Sequence, residues 1–265
     1  MRRTVLITIL ATMFLNGCLA KASQPTAVPT ATNTLTPMAQ PSATPTDTPV
    51  TTPTTTPTVV PTATATKAPS LTITPLAEGR VVIKKTSGLP VTGTLYGHGE
   101  TAVILASVGG MSESQWSLFA KYLAQNGFTV LAISSPDSQG ETVVLVSQAI
   151  EFLRDNGYRR IVCAGASNGA SGCVFNLKYP EITGLLLITY HATINLSKVT
   201  VPKLFIAGEQ ADPWRATTEA GFKIAGDPKT LLIVPVTSGN GPVILEVDPD
   251  IKKQVLEFLK ACNGF

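Results

Sequence analysis

Residues 76–265 read as one α/β domain built on a mostly parallel, doubly wound sheet. Three observations predict it. Short continuous apolar runs, such as 101–107, 128–134 and 203–208, have the composition of strands buried on both faces. Segments with helical spacing separate these runs, as a parallel sheet requires. Two of those segments stop at Gly127 and Gly157, where a left-handed residue ends a helix. About 190 residues are enough for one well-buried core.

Taken in order, 81–85 and 91–96 are expected to pair as strands, and 101–107 is a buried strand. Ser112 and Gln115 have capping-box spacing, so a helix starts there. Trp116, Phe119 and Leu123 then share its inner face. A strand over 128–134 is followed by a helix over 142–156, with Ile150 and Leu153 inward. Next come a strand over 160–166, a helix over 168–178, and strands over 182–190 and 203–208. A short helix over 216–225, a strand over 230–236 and a last helix over 250–261 complete the domain. In such sheets the ligand crevice lies at the carboxyl ends of the strands, so polar residues just after strands matter most.

Upstream the chain changes character. Arg2 and Arg3 precede an apolar run ending at Leu15, the pattern of an export signal over 1–17. The run is shorter than the roughly twenty residues a membrane span needs. Leu15-Asn16-Gly17-Cys18 resembles a bacterial lipobox, which implies cleavage before Cys18 and acylation of its thiol. Several acyl chains hold firmly, at about 0.8 kcal/mol per buried CH₂. The segment 18–75 is a disordered Thr/Pro-rich stalk. Prolines 25, 29, 37, 41, 45, 49, 53, 57, 61 and 69 share one four-residue register, and few large apolar residues lie between them. At about 3.1 Å per residue, fifty extended residues reach on the order of 150 Å. These features predict an extracytoplasmic protein, lipid-anchored to the cell membrane through Cys18, with a monomeric domain at the end of a tether.

Composition excludes several functions. Without Arg2 and Arg3 the charge is (20 − 2) − 17 = +1, too close to neutral to favour a nucleic-acid partner. With only His98 and His191 and no metal-ligand spacing among the cysteines, no metal is expected, and no cofactor is implied. Cys163, Cys173 and Cys262 remain in the domain. An odd number leaves at least one unpaired thiol. All three are expected to be small buried hydrophobes, with a Cys173–Cys262 pair left open.

The chemistry centres on Gly165-Ala166-Ser167-Asn168-Gly169, a G-x-S-x-G sequence between a strand and a helix. Glycines permit the tight turn that exposes Ser167 Oγ, and the free N–H groups of the following helix favour a developing negative charge there. With this motif in this order of elements, the domain resembles a small α/β-hydrolase. The resemblance covers the whole domain and implies a serine hydrolase acting on small-molecule or cell-surface esters or amides. Ser107-Val108-Gly109-Gly110 is similar to the family's oxyanion loop, although many members have histidine before the glycines. The resemblance assigns the oxyanion to the N–H groups of Val108 and Asn168. Residues 201–208 followed by Asp212 are similar to the strand and loop that deliver the acid.

The departure lies in the base. Where the family has histidine after its last strand, this chain reads Ser238-Gly239-Asn240-Gly241. The Asn240 amide has no proton-accepting nitrogen. His98, in a turn entering a strand, belongs at the opposite end of the sheet. His191 directly follows the strand beside that of Ser167. It is either a packing histidine or a relocated base. The short link from His191 to Val201 implies a lidless, shallow site, with Trp214 at its mouth or simply packed. Two functions follow: a serine hydrolase using Ser167, His191 and Asp212, or a catalytically silent pseudohydrolase that binds a ligand or surface.

Overall fold

The computed structural model describes residues 73–74, 76–84, 91–191, 194–235 and 241–263. The expected signal peptide, Cys18, the stalk as far as residue 72, Lys85 and Asn240 lie outside the described residues. The end of the expected stalk is corrected: Ile73 packs against the core and Thr74 N donates to Asn156 O at 3.1 Å, so these residues belong to the domain.

Eight strands form one sheet: β1 (Gly79–Lys84), β2 (Val91–Tyr96), β3 (Thr101–Ala106), β4 (Phe128–Ile133), β5 (Ile161–Ala166), β6 (Ile182–Ile188), β7 (Lys203–Gly208) and β8 (Lys229–Val234). Their spatial order is β1-β2-β4-β3-β5-β6-β7-β8. β2 pairs antiparallel with both β1 and β4, and every other neighbour is parallel. Every residue of β3, β4, β5 and β7 is buried, which is why these strands read as unbroken apolar runs rather than alternations.

Helices cover both faces, as the doubly wound expectation requires. On one face lie α2 (Gln139–Asp155), α3 (Asn168–Phe175) and α4 (Trp214–Ile224). Their contacts include Ile150, Leu153, Cys173 and Phe222, packed with Ile104, Leu187 and Phe205. On the other face α1 (Ser117–Gln125) and α5 (Pro249–Ala261) bring Phe119, Leu123, Val255 and Leu259 against Val103, Leu186 and Ile206. Gly127 and Gly157 have φ of 86° and 96°, the left-handed stops read from the sequence.

Several boundaries differ for local reasons. The Ser112 signal starts a 3-10 turn, Glu113–Trp116, before α1. Ser112 Oγ accepts from Ser114 N at 3.2 Å rather than from Gln115, so the expected capping box does not form. α2 begins three residues before the expected 142, because Ser138 Oγ accepts from Glu141 N. α3 ends three residues before the expected 178. Asn176 caps it there, donating from Nδ2 to Gly172 O at 2.8 Å and to Val143 O of α2 at 2.9 Å. A second 3-10 turn, Pro242–Leu245, had no sequence signal.

The expectation of three unpaired cysteines is corrected. Cys163 of β5 and Cys173 of α3 form a disulfide with Cα atoms 5.5 Å apart. Inward-facing positions on a strand and on the helix that follows it meet across one packed layer, and apolar patterning cannot distinguish a buried thiol from half of a cystine. Cys262 is free, so it does not pair with Cys173.

Candidate active site

The exits of β3, β5, β6 and β7 bring the sequence-predicted site residues to one edge of the sheet. Ser167 joins β5 to α3 at φ 53° and ψ −115°, a backbone conformation that side-chain-bearing residues rarely adopt. Close packing explains how the turn is held. A Cβ on Gly165 would lie 2.3 Å from the Gly169 carbonyl carbon, and one on Gly169 would lie 2.3 Å from Ala106 O. Both glycines therefore stand where main chain meets main chain, as the G-x-S-x-G reading requires.

The turn after β3 lies against this elbow. A Cβ on Gly109 would fall 2.4 Å from Asn168 Nδ2. Gly110 is left-handed at φ 73°, and the turn closes through Met111 N donating to Val108 O at 3.0 Å. Asn168 Nδ2 also donates to Asp137 O at 2.9 Å, tying the elbow to the loop after β4. The Val108 N–H and the Asn168 N–H, which opens α3, meet no acceptor among the described residues. Two free donors on adjoining turns are what an oxyanion site needs.

Ser167 N donates to Ile188 O at 3.0 Å, which fixes the end of β6 beside the elbow. Beyond it, Thr189 has φ 47°, unusual for a β-branched residue. Tyr190 turns into the core against Phe205, with ring centroids 5.9 Å apart. His191 follows and packs edge-on against Trp214 at 5.7 Å and 64°. Its Nδ1 is buried and has no hydrogen-bond partner among the described residues. Neither Ser167 nor Asp212 hydrogen-bonds His191 among the described residues. Trp214, two residues after Asp212, is thus both packed and partly exposed.

Asp212 is exposed in the loop between β7 and α4. Glu209 N donates to Val234 O at 2.8 Å, Trp214 N to Ala211 O at 2.8 Å, and Thr218 Oγ1 to Tyr190 O at 3.2 Å. These bonds fasten the loop to β8 and to the exit of β6. Asn240 lies outside the described residues, but its neighbour Gly241 does not. Gly241 has φ 90°, and a Cβ there would lie 2.9 Å from Val108 Cγ2 and 4.0 Å from Ala166 Cβ. The chain after β8 therefore returns to the Ser167 elbow. His98 is exposed beside Glu78, at the opposite end of the sheet from Ser167.

Sequence reasoning missed three contributors. The Asp137 main chain holds Asn168, Gln115 lies beside Gly241 with its Nε2 buried and without a partner among the described residues, and the disulfide bridges the segment that contains Ser167. Only the last had a usable signal, since three cysteines in one domain allow one pair. Among the described residues no three His, Cys, Asp or Glu side chains converge as a metal site would. Compared with known proteins, the chain matches no family model and no curated protein sequence.

Proposed function

We propose that residues 76–265 are an α/β-hydrolase-type serine hydrolase that cleaves ester or amide bonds of small or surface-borne substrates. The conformation of Ser167 carries this reading. A serine held at φ 53° between a strand and a helix, with glycines on either side at main-chain contact distance, matches a nucleophile elbow. In the proposed reaction Ser167 Oγ attacks the carbonyl carbon and its proton passes to His191. Asp212 orients the imidazole, and the Val108 and Asn168 N–H groups receive the oxyanion. His191 then protonates the leaving group, and water cleaves the acyl-enzyme. A fluorophosphonate probe tests this: wild-type protein is expected to label at neutral pH and Ser167→Ala is not. Absence of wild-type labelling, where a known esterase labels, rejects the hydrolase.

Two observations favour a second reading, a pseudohydrolase that binds without turnover. Asn240 stands in the sequence where the base is needed, and His191 rests on Trp214 without a bond to Ser167 or Asp212. Loss of one triad member leaves only about 10³–10⁴-fold catalysis over water. Under this reading Asn240→His raises ester hydrolysis by at least about 100-fold from an almost silent wild type. An active wild type that loses its activity in His191→Ala supports the relocated base instead.

We also propose that the domain is exported and held at the membrane by lipidated Cys18. The Cys163–Cys173 disulfide supports export, because such bonds persist mainly outside the reducing cytosol. Incorporation of labelled fatty acid that survives in Cys18→Ala would reject the anchor.

A further inference from the structure

The geometry points to the Cys163–Cys173 disulfide as the device that sets the Ser167 turn, so that the site becomes competent only after this pair is oxidised. The inference rests on the hydrolase reading for its functional consequence, but its structural part stands alone. Cys163 lies in β5 and Cys173 in α3, and the bond spans ten positions with Ser167 inside them.

Local sequence alone does not favour this turn. α3 reads NGASGCVF, with two glycines, an asparagine and a serine in eight residues. These are weak helix formers, and so short a helix is unstable in isolation. Ser167, its N-cap, makes no side-chain capping bond and sits at φ 53°. Asn176 secures only the far end of α3, by its bond to Val143 O. At the near end, Ser167 N on Ile188 O, Asn168 Nδ2 on Asp137 O and the close approach of Gly165, Gly169 and Ala106 position the turn, but each is non-covalent and holds only while α3 stays in place. The disulfide is the one covalent restraint joining the strand before Ser167 to the helix after it, among the described residues.

The pairing is also isolated. Both sulfurs belong to buried residues on the face covered by α2 and α3. Cys262 lies across the sheet, where its Sγ would be 2.4 Å from a Cβ on Gly184, so it cannot exchange without major opening. Oxidation therefore has one outcome. The Cys163 and Cys173 thiols give up two electrons and two protons to a small-molecule or protein disulfide, which leaves as two thiols. A chain still in a reducing compartment would carry Ser167 on an unclamped turn.

Hydrogen exchange on the full chain tests this. Three samples are compared: oxidised wild type, wild type folded in the presence of a phosphine reductant, and the Cys163→Ala/Cys173→Ala double variant. Exchange across 168–175 is expected to quicken by about 100-fold in the last two, the size implied by the chain entropy of a loop this long. β4 and β7 should stay protected, and fluorophosphonate labelling of Ser167 should fall in the same samples. Unchanged exchange over 168–175 overturns the inference. So does equal loss of protection across all strands, because the bond would then hold the whole fold rather than the turn. Should the variant fail to fold, the reduced wild type decides by the same criteria. Faster exchange over 168–175 in a protein whose oxidised form never labels upholds the clamp and rejects only the hydrolase.

Discussion

Replacing Gly169 by alanine tests whether the elbow is held by main-chain contact. Helix propensity alone favours the change, by about 1 kcal/mol, because Gly169 is the second residue of α3. Packing opposes it. The new methyl would lie 2.3 Å from Ala106 O, 2.7 Å from Ala106 C and 2.7 Å from Ser107 O. All three atoms belong to main chain where β3 leaves the sheet, so none can swing aside as a flexible side chain would. Relief needs a backbone shift, and overpacking of a core costs about 1–3 kcal/mol. Taking about 3 kcal/mol for a clash with main chain and subtracting the propensity gain leaves about 2 kcal/mol of destabilisation. With an m-value of about 2 kcal/mol/M in urea, the midpoint falls by about 1 M. Gly140→Ala in the first turn of α2 is the control. Its nearest neighbour would be Ser138 Oγ at 3.8 Å, so it gains propensity without a clash and its midpoint rises slightly. Fluorescence of the fully buried Trp116 reports both transitions. Equal or greater stability in Gly169→Ala would refute the argument, because the close approach could not then be what holds the turn.

Ser167→Gly relieves the left-handed serine. It is expected to stabilise the domain by about 1 kcal/mol, raising Tm by about 2–4 °C in a thermal melt, while abolishing probe labelling. A lower Tm would show that Ser167 is not strained. The alkaline limb of the stability curve has a defined sign. Burial pushes the Cys262 thiol up from 9.0 to about 12, and burial likewise pushes the Tyr190 phenol up from 10.0 to about 12. The folded state then keeps protons that the unfolded chain has already released. Stability from these groups is complete below the unfolded values and is lost as pH rises towards about 12, at no more than about 1.4 kcal/mol per pH unit per group. Cys262→Ala should remove the part that begins near pH 9.0, measured by urea titration across that range. In native protein at pH about 8, mass spectrometry should find the half-buried Cys262 only slowly modified by iodoacetamide, and alkylation as fast as that of a free thiol would contradict its raised pKa.

Much of the fold was legible because its strands are buried on both faces. Burial of that kind writes an unbroken apolar run, and 203–208 is β7 to the residue. Ends were less legible where a side chain rather than periodicity sets them. Ser138 starts α2 early and Asn176 stops α3 early through bonds to particular main-chain atoms, one of them on another helix. Of the site, Ser167 was legible because the elbow needs glycine at fixed offsets. The fate of His191 was not. The sequence puts it one residue beyond Tyr190, but the ring's direction follows from the left-handed Thr189 and from Trp214 on a different helix.

Residue types along the chain sufficed for the order of strands and helices and for the strand-to-helix turn that carries Ser167. Those features depend on residue type at short range, through burial, glycine and donor chemistry. Packing of the assembled sheet sets the antiparallel course of β2, the approach of Asp137 and Gly241 to the Ser167 turn, and the bond of Cys163 to Cys173 rather than Cys262. Each of these is a meeting of segments distant in sequence or a choice among equivalent partners. The face each side chain takes on the assembled sheet makes that choice.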